Sequence, residues 1–134
     1  MRLLVLDQSR ILPWLVRHEL PSEVEVEAVF SFEEAERALR EEPLDAAVVS
    51  LPPAHLPWHS FQHLCASRQP PVPVLYESCV FGCACEAGLE PGDGYVEFLP
   101  KPAPRAELRA ALARLLAEAD RARAPQPLAP TAPA

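Results

Sequence analysis

Five short apolar runs alternate with segments of helical periodicity along the chain. The runs are Arg2 to Leu6, Val24 to Phe30, Ala46 to Val49, Val72 to Leu75 and Tyr95 to Leu99. Strands that alternate with helices in this way predict an α/β fold, with a parallel sheet covered by helices on both faces. The second run alternates apolar residues with Glu25 and Glu27, which is typical of a partly solvated strand at a sheet edge.

Capping and breaking signals place the helices between these runs. Ser31 and Glu34 form a capping box, in which the serine hydroxyl accepts from the third helical amide and the glutamate reaches back to the cap. Leucines at helical spacing after Pro104 indicate an amphipathic closing helix. Because proline is rarely tolerated inside a central strand, Pro73 predicts that the fourth strand starts late, at Val74.

The sequence predicts one domain over residues 1–118. Residues 119–134 are expected to form the end of the last helix and a Pro/Ala-rich tail or linker stub. No run approaches the roughly 18 to 20 apolar residues that cross a bilayer, and Asp7 interrupts the first apolar run too early for a signal peptide. We therefore expect a cytoplasmic protein that does not bind membranes.

The net charge of the chain restricts the kinds of molecule that it is expected to bind. The formal net charge is −7, and the pI is about 5.0. Affinity for nucleic acid depends largely on lysine and arginine side chains that displace phosphate counterions, so direct binding of nucleic acid is not expected.

Three motifs together resemble the receiver domain of bacterial two-component response regulators. They are the strand-end acid in Leu3-Leu4-Val5-Leu6-Asp7, the third strand after Leu44-Asp45 with Pro52-Pro53 behind it, and Phe98-Leu99-Pro100-Lys101-Pro102 before the closing helix. The resemblance covers about residues 1 to 118. It implies a flavodoxin-like (CheY-like) doubly wound sheet of order 2-1-3-4-5, which places the second strand at the edge, and a role in signal transduction through a phosphorelay.

The resemblance also implies a phosphorylation pocket at the strand ends. In a receiver, an aspartate at the end of the third strand accepts the phosphoryl group. An acidic pair helps it to hold a divalent metal, and a hydroxyl and a lysine complete the site. In this chain the acidic pair becomes Asp7 and Gln8, the acceptor becomes Ser50, the hydroxyl position becomes Tyr76, and the lysine is Lys101.

Loss of the acceptor carboxylate predicts a pseudo-receiver. Serine is a poor nucleophile without a base, and with Gln8 and Ser50 in place only Asp7 remains of the metal carboxylates. Glu77 approaches the pocket but does not restore the trio. We therefore expect no enzyme activity, no metal and no cofactor. Lys101, the only lysine of the chain, is expected to pair with Asp7 or to donate to Ser50.

The signalling face of a receiver lies on its fourth helix, fifth strand and fifth helix. The resemblance places Phe98 and Pro102 on this face, where protein partners or a second copy of the chain would dock. A bulky Tyr76 is expected to block an inward swing of Phe98 and to fix one conformation. The expected arrangement has Phe98 turned away from the pocket, with Tyr76 between it and Ser50.

Cys79, Cys83 and Cys85 support an alternative function, that of a metal- or redox-responsive sensor. Their spacing matches neither a CxxC pair nor a zinc knuckle. They lie where a receiver has its fourth helix, which Gly82 would make short or weak, and buried packing of free thiols is the simpler interpretation.

Two further possibilities carry less weight. His55, His59 and His63 recur at a spacing that suits metal ligation on a helix, but their face is predicted to point to solvent. A nucleotide-binding flavodoxin-like enzyme is disfavoured because the loop Asp7-Gln8-Ser9-Arg10 lacks the glycines that let a backbone approach phosphate.

Overall fold

The computed structural model describes residues 1–51, 58–83, 85–89 and 94–124. Five strands alternate with helices: β1 (Arg2–Leu6), β2 (Glu25–Val29), β3 (Ala46–Ser50), β4 (Val74–Ser78) and β5 (Val96–Pro100). The helices in the described ranges are α1 (Ile11–Glu19), α2 (Phe32–Glu41), α3 (Trp58–Ser67) and α4 (Arg105–Arg123). The closing helix therefore ends within the segment 119–134, and the tail beyond residue 124 lies outside the described residues.

All the strand pairs are parallel, and the sheet order is β2-β1-β3-β4-β5. The predicted order 2-1-3-4-5 is confirmed, with β2 at one edge. Glu25 is exposed there, and Arg2 on β1 pairs with Glu27 at 3.4 Å. The alternating acids of the second run thus mark the edge strand.

Helices cover both faces of the sheet, and each face has its own apolar core. Even-numbered residues of β1, such as Leu4 and Leu6, pack with α2 and α3. Odd-numbered residues, such as Leu3 and Val5, pack with α1 and α4. Because successive strand residues point to opposite faces, each functional side chain can be assigned to a layer by counting along its strand.

The cap of α2 forms largely as predicted. The Ser31 hydroxyl accepts a hydrogen bond from the Glu34 backbone N–H at 3.1 Å. The Glu34 carboxylate accepts from the backbone N–H of Phe30, one residue before the cap, at 3.4 Å. The helix start is thus fixed by local hydrogen bonds that the sequence signals.

The fourth strand begins at Val74, as Pro73 indicated, but it continues to Ser78. The predicted run ended at Leu75. The structure corrects that boundary, since the ladder pairs Ser50 with Glu77 on one side and Ser78 with Pro100 on the other. The extension brings Glu77 to the carboxyl edge of the sheet.

The helix expected between the fourth and fifth strands is absent from the described residues 79–83 and 85–89, which form bends and turns. The Ser78 hydroxyl accepts hydrogen bonds from the backbone N–H groups of Val80 and Phe81, each at 3.0 Å, which turns the chain sharply after β4. Ala87 and Leu89 are buried in the core beneath. An irregular segment therefore covers this part of the sheet.

Within the described ranges, no helix is long and apolar enough to cross a membrane.

Candidate functional site

Four strand-end side chains converge at the carboxyl edge of the sheet. Asp7 follows β1, Ser50 ends β3, Glu77 lies in β4 and Lys101 follows β5. Counting in twos from Leu3, Val48, Leu75 and Leu99 places all four on the α1 and α4 side of the sheet. They border a shallow cavity of about 210 Å³, whose lining residues are Asp7, Ser9, Ile11, Leu12, Leu15, Ser50, Glu77 and Lys101.

The carboxylate of Asp7 is bound to the start of α1. It accepts hydrogen bonds from the Ser9 backbone N–H at 3.2 Å, the Ser9 hydroxyl at 2.9 Å and the Leu12 backbone N–H at 3.1 Å. A carboxylate at this place also stabilises the positive end of the helix dipole. Asp7 therefore stabilises the start of α1, and a metal ion would have to compete with three hydrogen-bond donors for the carboxylate oxygens.

Lys101 reaches across the end of the sheet from β5 towards β3. Its Nζ donates a hydrogen bond to the backbone carbonyl of Leu51 at 3.1 Å. The expected partners were Asp7 and the Ser50 hydroxyl, and the structure instead joins Lys101 to the main chain one residue after Ser50. The ammonium group thus lies at the acceptor position without binding the acceptor side chain.

Glu77 brings a second carboxylate into the cavity. It is the register partner of Ser50, and its backbone carbonyl accepts a hydrogen bond from the Leu51 N–H at 2.8 Å. Burial raises the pKa of Glu77, the nearby charge of Asp7 raises it further, and the Lys101 ammonium opposes both effects. The site therefore has a carboxyl group on β4, next to the strand that carries the acceptor in a receiver.

The divalent-metal site of a receiver does not fit this cavity. Of the described residues, two carboxylates line it, and one of them, Asp7, is bound to α1. Across residues 1–51, 58–83, 85–89 and 94–124, no three His, Cys, Asp or Glu side chains are grouped so as to hold a metal ion. A Mg²⁺ ion without substrate phosphates needs several carboxylate or carbonyl oxygens in near-octahedral geometry.

Two of the predicted pocket residues lie elsewhere. Gln8 is exposed and does not line the cavity. Tyr76 was assigned to the hydroxyl position, but it lies one residue before Glu77, so its side chain points to the opposite face of the sheet. The hydroxyl at the end of the fourth strand belongs to Ser78, which is buried. The error follows from ending the strand at Leu75.

Tyr76 instead lies at the centre of a buried aromatic cluster. Its ring stacks on Phe98 with centroids 5.2 Å apart and meets the edge of Trp58 at 5.3 Å. Its hydroxyl donates a hydrogen bond to Gln62 Oε1 at 2.7 Å. Phe98 also contacts Phe81, so its ring contacts lie across the sheet from the cavity. Pro102, the other residue of the predicted partner face, is exposed.

The three cysteines of the β4–β5 connection are exposed, so they do not pack as buried thiols. The interpretation of Cys79, Cys83 and Cys85 as core packing is therefore wrong. Cys83 Sγ accepts a hydrogen bond from the Glu86 backbone N–H at 3.4 Å, within a turn. The buried thiol is Cys65 on α3, where burial raises its pKa.

Two of the three histidines of the predicted series lie in the described residues. His59 and His63 are exposed on α3, as predicted, whereas His55 lies outside the described residues. His59 Nε2 lies 2.8 Å from the Ala87 carbonyl, a hydrogen bond in which the imidazole N–H donates. His59 therefore ties α3 to the β4–β5 connection.

Comparisons with known proteins agree with this architecture. No protein-family profile matches the chain, and no curated protein sequence matches it. Among solved structures, a response regulator receiver protein from Sinorhizobium medicae WSM419 superposes with a TM-score of 0.71 at 22% identity, covering 89% of this chain and 96% of the other. The receiver domain of a Francisella response regulator gives 0.67 at 18% identity, covering 87% of this chain and 97% of the other.

A third structure, the signal receiver domain of an HD domain-containing protein from Pseudomonas fluorescens Pf-5, gives a TM-score of 0.68 at 17% identity and covers 90% of this chain and 97% of the other. At such identities the likeness concerns the fold. Three observations agree: five parallel strands lie in the order β2-β1-β3-β4-β5, a lysine follows β5, and solved receiver domains superpose on the chain. The chain has the receiver fold of response regulators.

Proposed function

We propose that this protein is a non-catalytic, receiver-like signalling module of a bacterial regulatory pathway, which binds protein partners in the cytoplasm without phosphorylation of an aspartate. The observation that carries the proposal is Ser50. A hydroxyl stands at the end of β3, where a receiver has its acceptor carboxylate, and it faces the cavity beside Lys101.

The chemistry of the cavity supports this proposal. A serine hydroxyl attacks phosphorus only when a base removes its proton, and a phosphoryl donor approaching carboxylates needs a cation to offset the charge. Of the two carboxylates in the cavity, Asp7 is bound to α1. Glu77 is the remaining base, and burial is the largest cause of its raised pKa.

The proposed partner face consists of Phe98, Pro102 and the adjoining surface of α4. In this proposal Phe98 is held in one position because Tyr76 stacks on it and is itself anchored by Gln62. Packed aromatic rings resist displacement, since overfilling of a core costs about 1 to 3 kcal/mol. The face would therefore be presented constantly to a protein partner or to a second copy of the chain.

Intact-mass spectrometry after incubation with a small phosphoryl donor and Mg²⁺ tests the proposal. The wild type should remain unmodified. Ser50→Asp should also label poorly, because the oxygens of Asp7 are bound at the start of α1 and Gln8 lies outside the cavity, so the new carboxylate alone does not rebuild the metal site. Stoichiometric labelling of the wild type would contradict the proposal.

Glu77→Gln is the matched control for that experiment. If a wild-type adduct appeared and disappeared in Glu77→Gln but not in Ser50→Ala, Glu77 would be the acceptor. If the adduct disappeared in both variants, Ser50 would be a nucleophile that depends on Glu77 as its base. Either result would establish a phosphorylated module and would replace the proposed function.

A further inference from the structure

Three cysteines of the β4–β5 connection form a cluster that the proposed function does not use. Cys79, Cys83 and Cys85 are all exposed, whereas the fourth cysteine of the chain, Cys65, is buried. Free cysteines are usually among the most buried residues of a protein, so the exposure of three neighbouring ones is unusual. Exposed thiols contribute little to packing, and their accessibility makes them available for chemical reaction.

The backbone of the connection places Cys79 and Cys83 at two successive turns. The Ser78 hydroxyl accepts two backbone hydrogen bonds, each at 3.0 Å, around the position of Cys79. The Cys83 carbonyl then accepts a hydrogen bond from the Ala87 backbone N–H at 3.3 Å and begins the second turn. Between the two cysteines lies Gly82, whose backbone has more freedom than that of other residues. The short segment can therefore fold back so that the two thiols meet.

Cys83 is the thiol best placed to react as a thiolate. Its Sγ accepts a hydrogen bond from the Glu86 backbone N–H at 3.4 Å, and a donated N–H stabilises negative charge on sulfur. The Glu86 carboxylate accepts a hydrogen bond from the Gly82 backbone N–H at 2.9 Å, which joins the two ends of this turn. Cys85 lies inside the same turn, two residues from Cys83, and side chains two residues apart in a helical turn do not face each other. Cys79 is therefore the better partner for Cys83.

We propose that Cys79 and Cys83 are a redox-active pair, which a low-molecular-weight disulfide oxidises to an intramolecular disulfide. The Cys83 thiolate attacks one sulfur of the oxidant, so that a mixed disulfide forms and one thiolate of the oxidant leaves. The Cys79 thiolate then attacks Cys83 Sγ and displaces the other thiolate. The two cysteines lose two protons and two electrons, and the S–S bond of the oxidant is reduced to two thiols.

A disulfide suits this cluster better than a metal ion does. A protein zinc site needs three or four ligands around one point, whereas a disulfide needs only two sulfur atoms. In the parts of the chain that the structure describes, no three His, Cys, Asp or Glu side chains are grouped so as to hold a metal ion. Oxidation of two thiols is therefore favoured, and zinc binding becomes an outcome that the test must exclude.

The disulfide would close around Phe81, which connects the cluster to the aromatic core. The Phe81 ring contacts Trp58 and Phe98, with centroid distances of 5.9 Å and 6.4 Å. An exposed disulfide is readily reduced, which is typical of regulatory bonds in reducing compartments. The pair would therefore give the module an oxidant-dependent modification beside Phe98, which goes beyond the proposed function because it needs neither the strand-end cavity nor a partner.

The test uses the reduced full chain and oxidised glutathione, without any phosphoryl donor. Remaining free thiols are blocked with a maleimide in the folded protein and counted by intact-mass spectrometry. We expect the number of fast-reacting thiols to fall from three to one, and a reducing agent to restore all three. Chymotrypsin then cleaves the unfolded, blocked chain after Phe81, which separates Cys79 from the other two cysteines. A disulfide-linked pair of peptides, with the maleimide on Cys85, would identify the predicted bond.

Serine variants separate the roles of the three thiols. Cys79→Ser should accumulate the mixed disulfide of Cys83 with glutathione, because the thiol that resolves it is missing. Cys83→Ser should form no intramolecular disulfide. Cys85→Ser is the matched control and should close within about twofold of the wild-type rate. All three substitutions change exposed side chains, so the fold is expected to tolerate them.

Several outcomes would overturn the assignment: three fast-reacting thiols after oxidation, a disulfide that includes Cys85, or a covalent dimer in place of the intramolecular bond. Retention of zinc by the reduced chain, with protection of all three thiols from the maleimide, would assign the cluster to a metal instead. None of these outcomes changes the phosphoryl-labelling result, so this assignment and the proposed function fail separately.

Discussion

The hydrogen bond from Tyr76 to Gln62 is the contact that holds the aromatic cluster under Phe98, and its contribution can be measured. Both side chains are 0% exposed, and the two oxygen atoms lie 2.7 Å apart. Tyr76→Phe keeps the ring, and with it the stacking on Phe98, but removes the donor from a buried acceptor. Such a loss costs about 1 to 3 kcal/mol of unfolding free energy.

Urea unfolding of a double-mutant cycle separates this hydrogen bond from the packing around it. We expect Tyr76→Phe to lower the free energy of unfolding by about 1 to 3 kcal/mol, and Gln62→Met to lower it by a similar amount. The double variant should lose clearly less than the sum, because neither the Tyr76 hydroxyl nor Gln62 Oε1 is then left facing an absent partner. Tyr95→Phe is the control, since that half-buried hydroxyl lies 3.4 Å from Glu97 and should contribute little. A loss below about 0.3 kcal/mol for Tyr76→Phe, or strictly additive losses, would refute the reasoning.

Three further predictions concern single side chains. Burial raises the pKa of Glu77 in the folded state, so its carboxyl group destabilises the fold as the pH rises above the pKa that Glu77 has in the unfolded chain. Urea titrations should therefore show that Glu77→Gln is more stable than the wild type at about pH 8 but not at about pH 4. An equal difference in stability at both pH values would contradict this. Ser31→Ala should lower the free energy of unfolding by about 1 kcal/mol through loss of the α2 cap, and an unchanged urea midpoint would exclude that role. A thiol reagent should react quickly with three cysteines of the folded protein and should reach Cys65 only after unfolding, because Cys65 is buried. Rapid reaction of all four cysteines in the folded protein would contradict the buried position of Cys65.

The sequence predicted the sheet well because the strands carry local signals. The alternation around Glu25 and Glu27 marks an edge strand, and the fully apolar run of β3 marks a central one; both lie where the pattern placed them. The Ser31 cap and the late start of β4 after Pro73 depend only on residues that are close in the sequence. Both features could therefore be predicted from the sequence alone.

The site was predicted less well because side-chain direction depends on where a strand ends. The apolar residues of β4 end at Tyr76, but its hydrogen bonding to β5 continues through Glu77 to Ser78. Because the predicted strand was too short, Tyr76 was assigned to the cavity, whereas it lies on the opposite face of the sheet. Counting in twos from Leu75 would have placed Glu77 in the cavity. Hydrogen bonds that a side chain donates to distant main chain, such as that from Lys101 Nζ to the Leu51 carbonyl, leave no local signal in the sequence.

The described residues 79–83 and 85–89 form bends and turns where the resemblance predicted a helix after β4. The Ser78 hydroxyl accepts from the backbone N–H groups of Val80 and Phe81, as a helix cap does, but Gly82 follows and glycine is a poor helix former. Burial of Ala87 and Leu89 then replaces the packing that a helix would supply. The family pattern predicted regular structure there, whereas in the turns the Gly82 backbone N–H donates to the Glu86 carboxylate at 2.9 Å.

Nuclear magnetic resonance of the ¹⁵N-labelled wild-type protein tests the central claim, that the strand-end cavity takes neither a metal ion nor a phosphoryl group. Mg²⁺ is added first and a small phosphoryl donor afterwards, while the backbone amide signals of Asp7, Ser50, Glu77 and Lys101 are followed. These four signals should keep their positions through both additions. A saturable shift with Mg²⁺, or a second set of signals for these residues after the donor, would show a working receiver site and contradict the account.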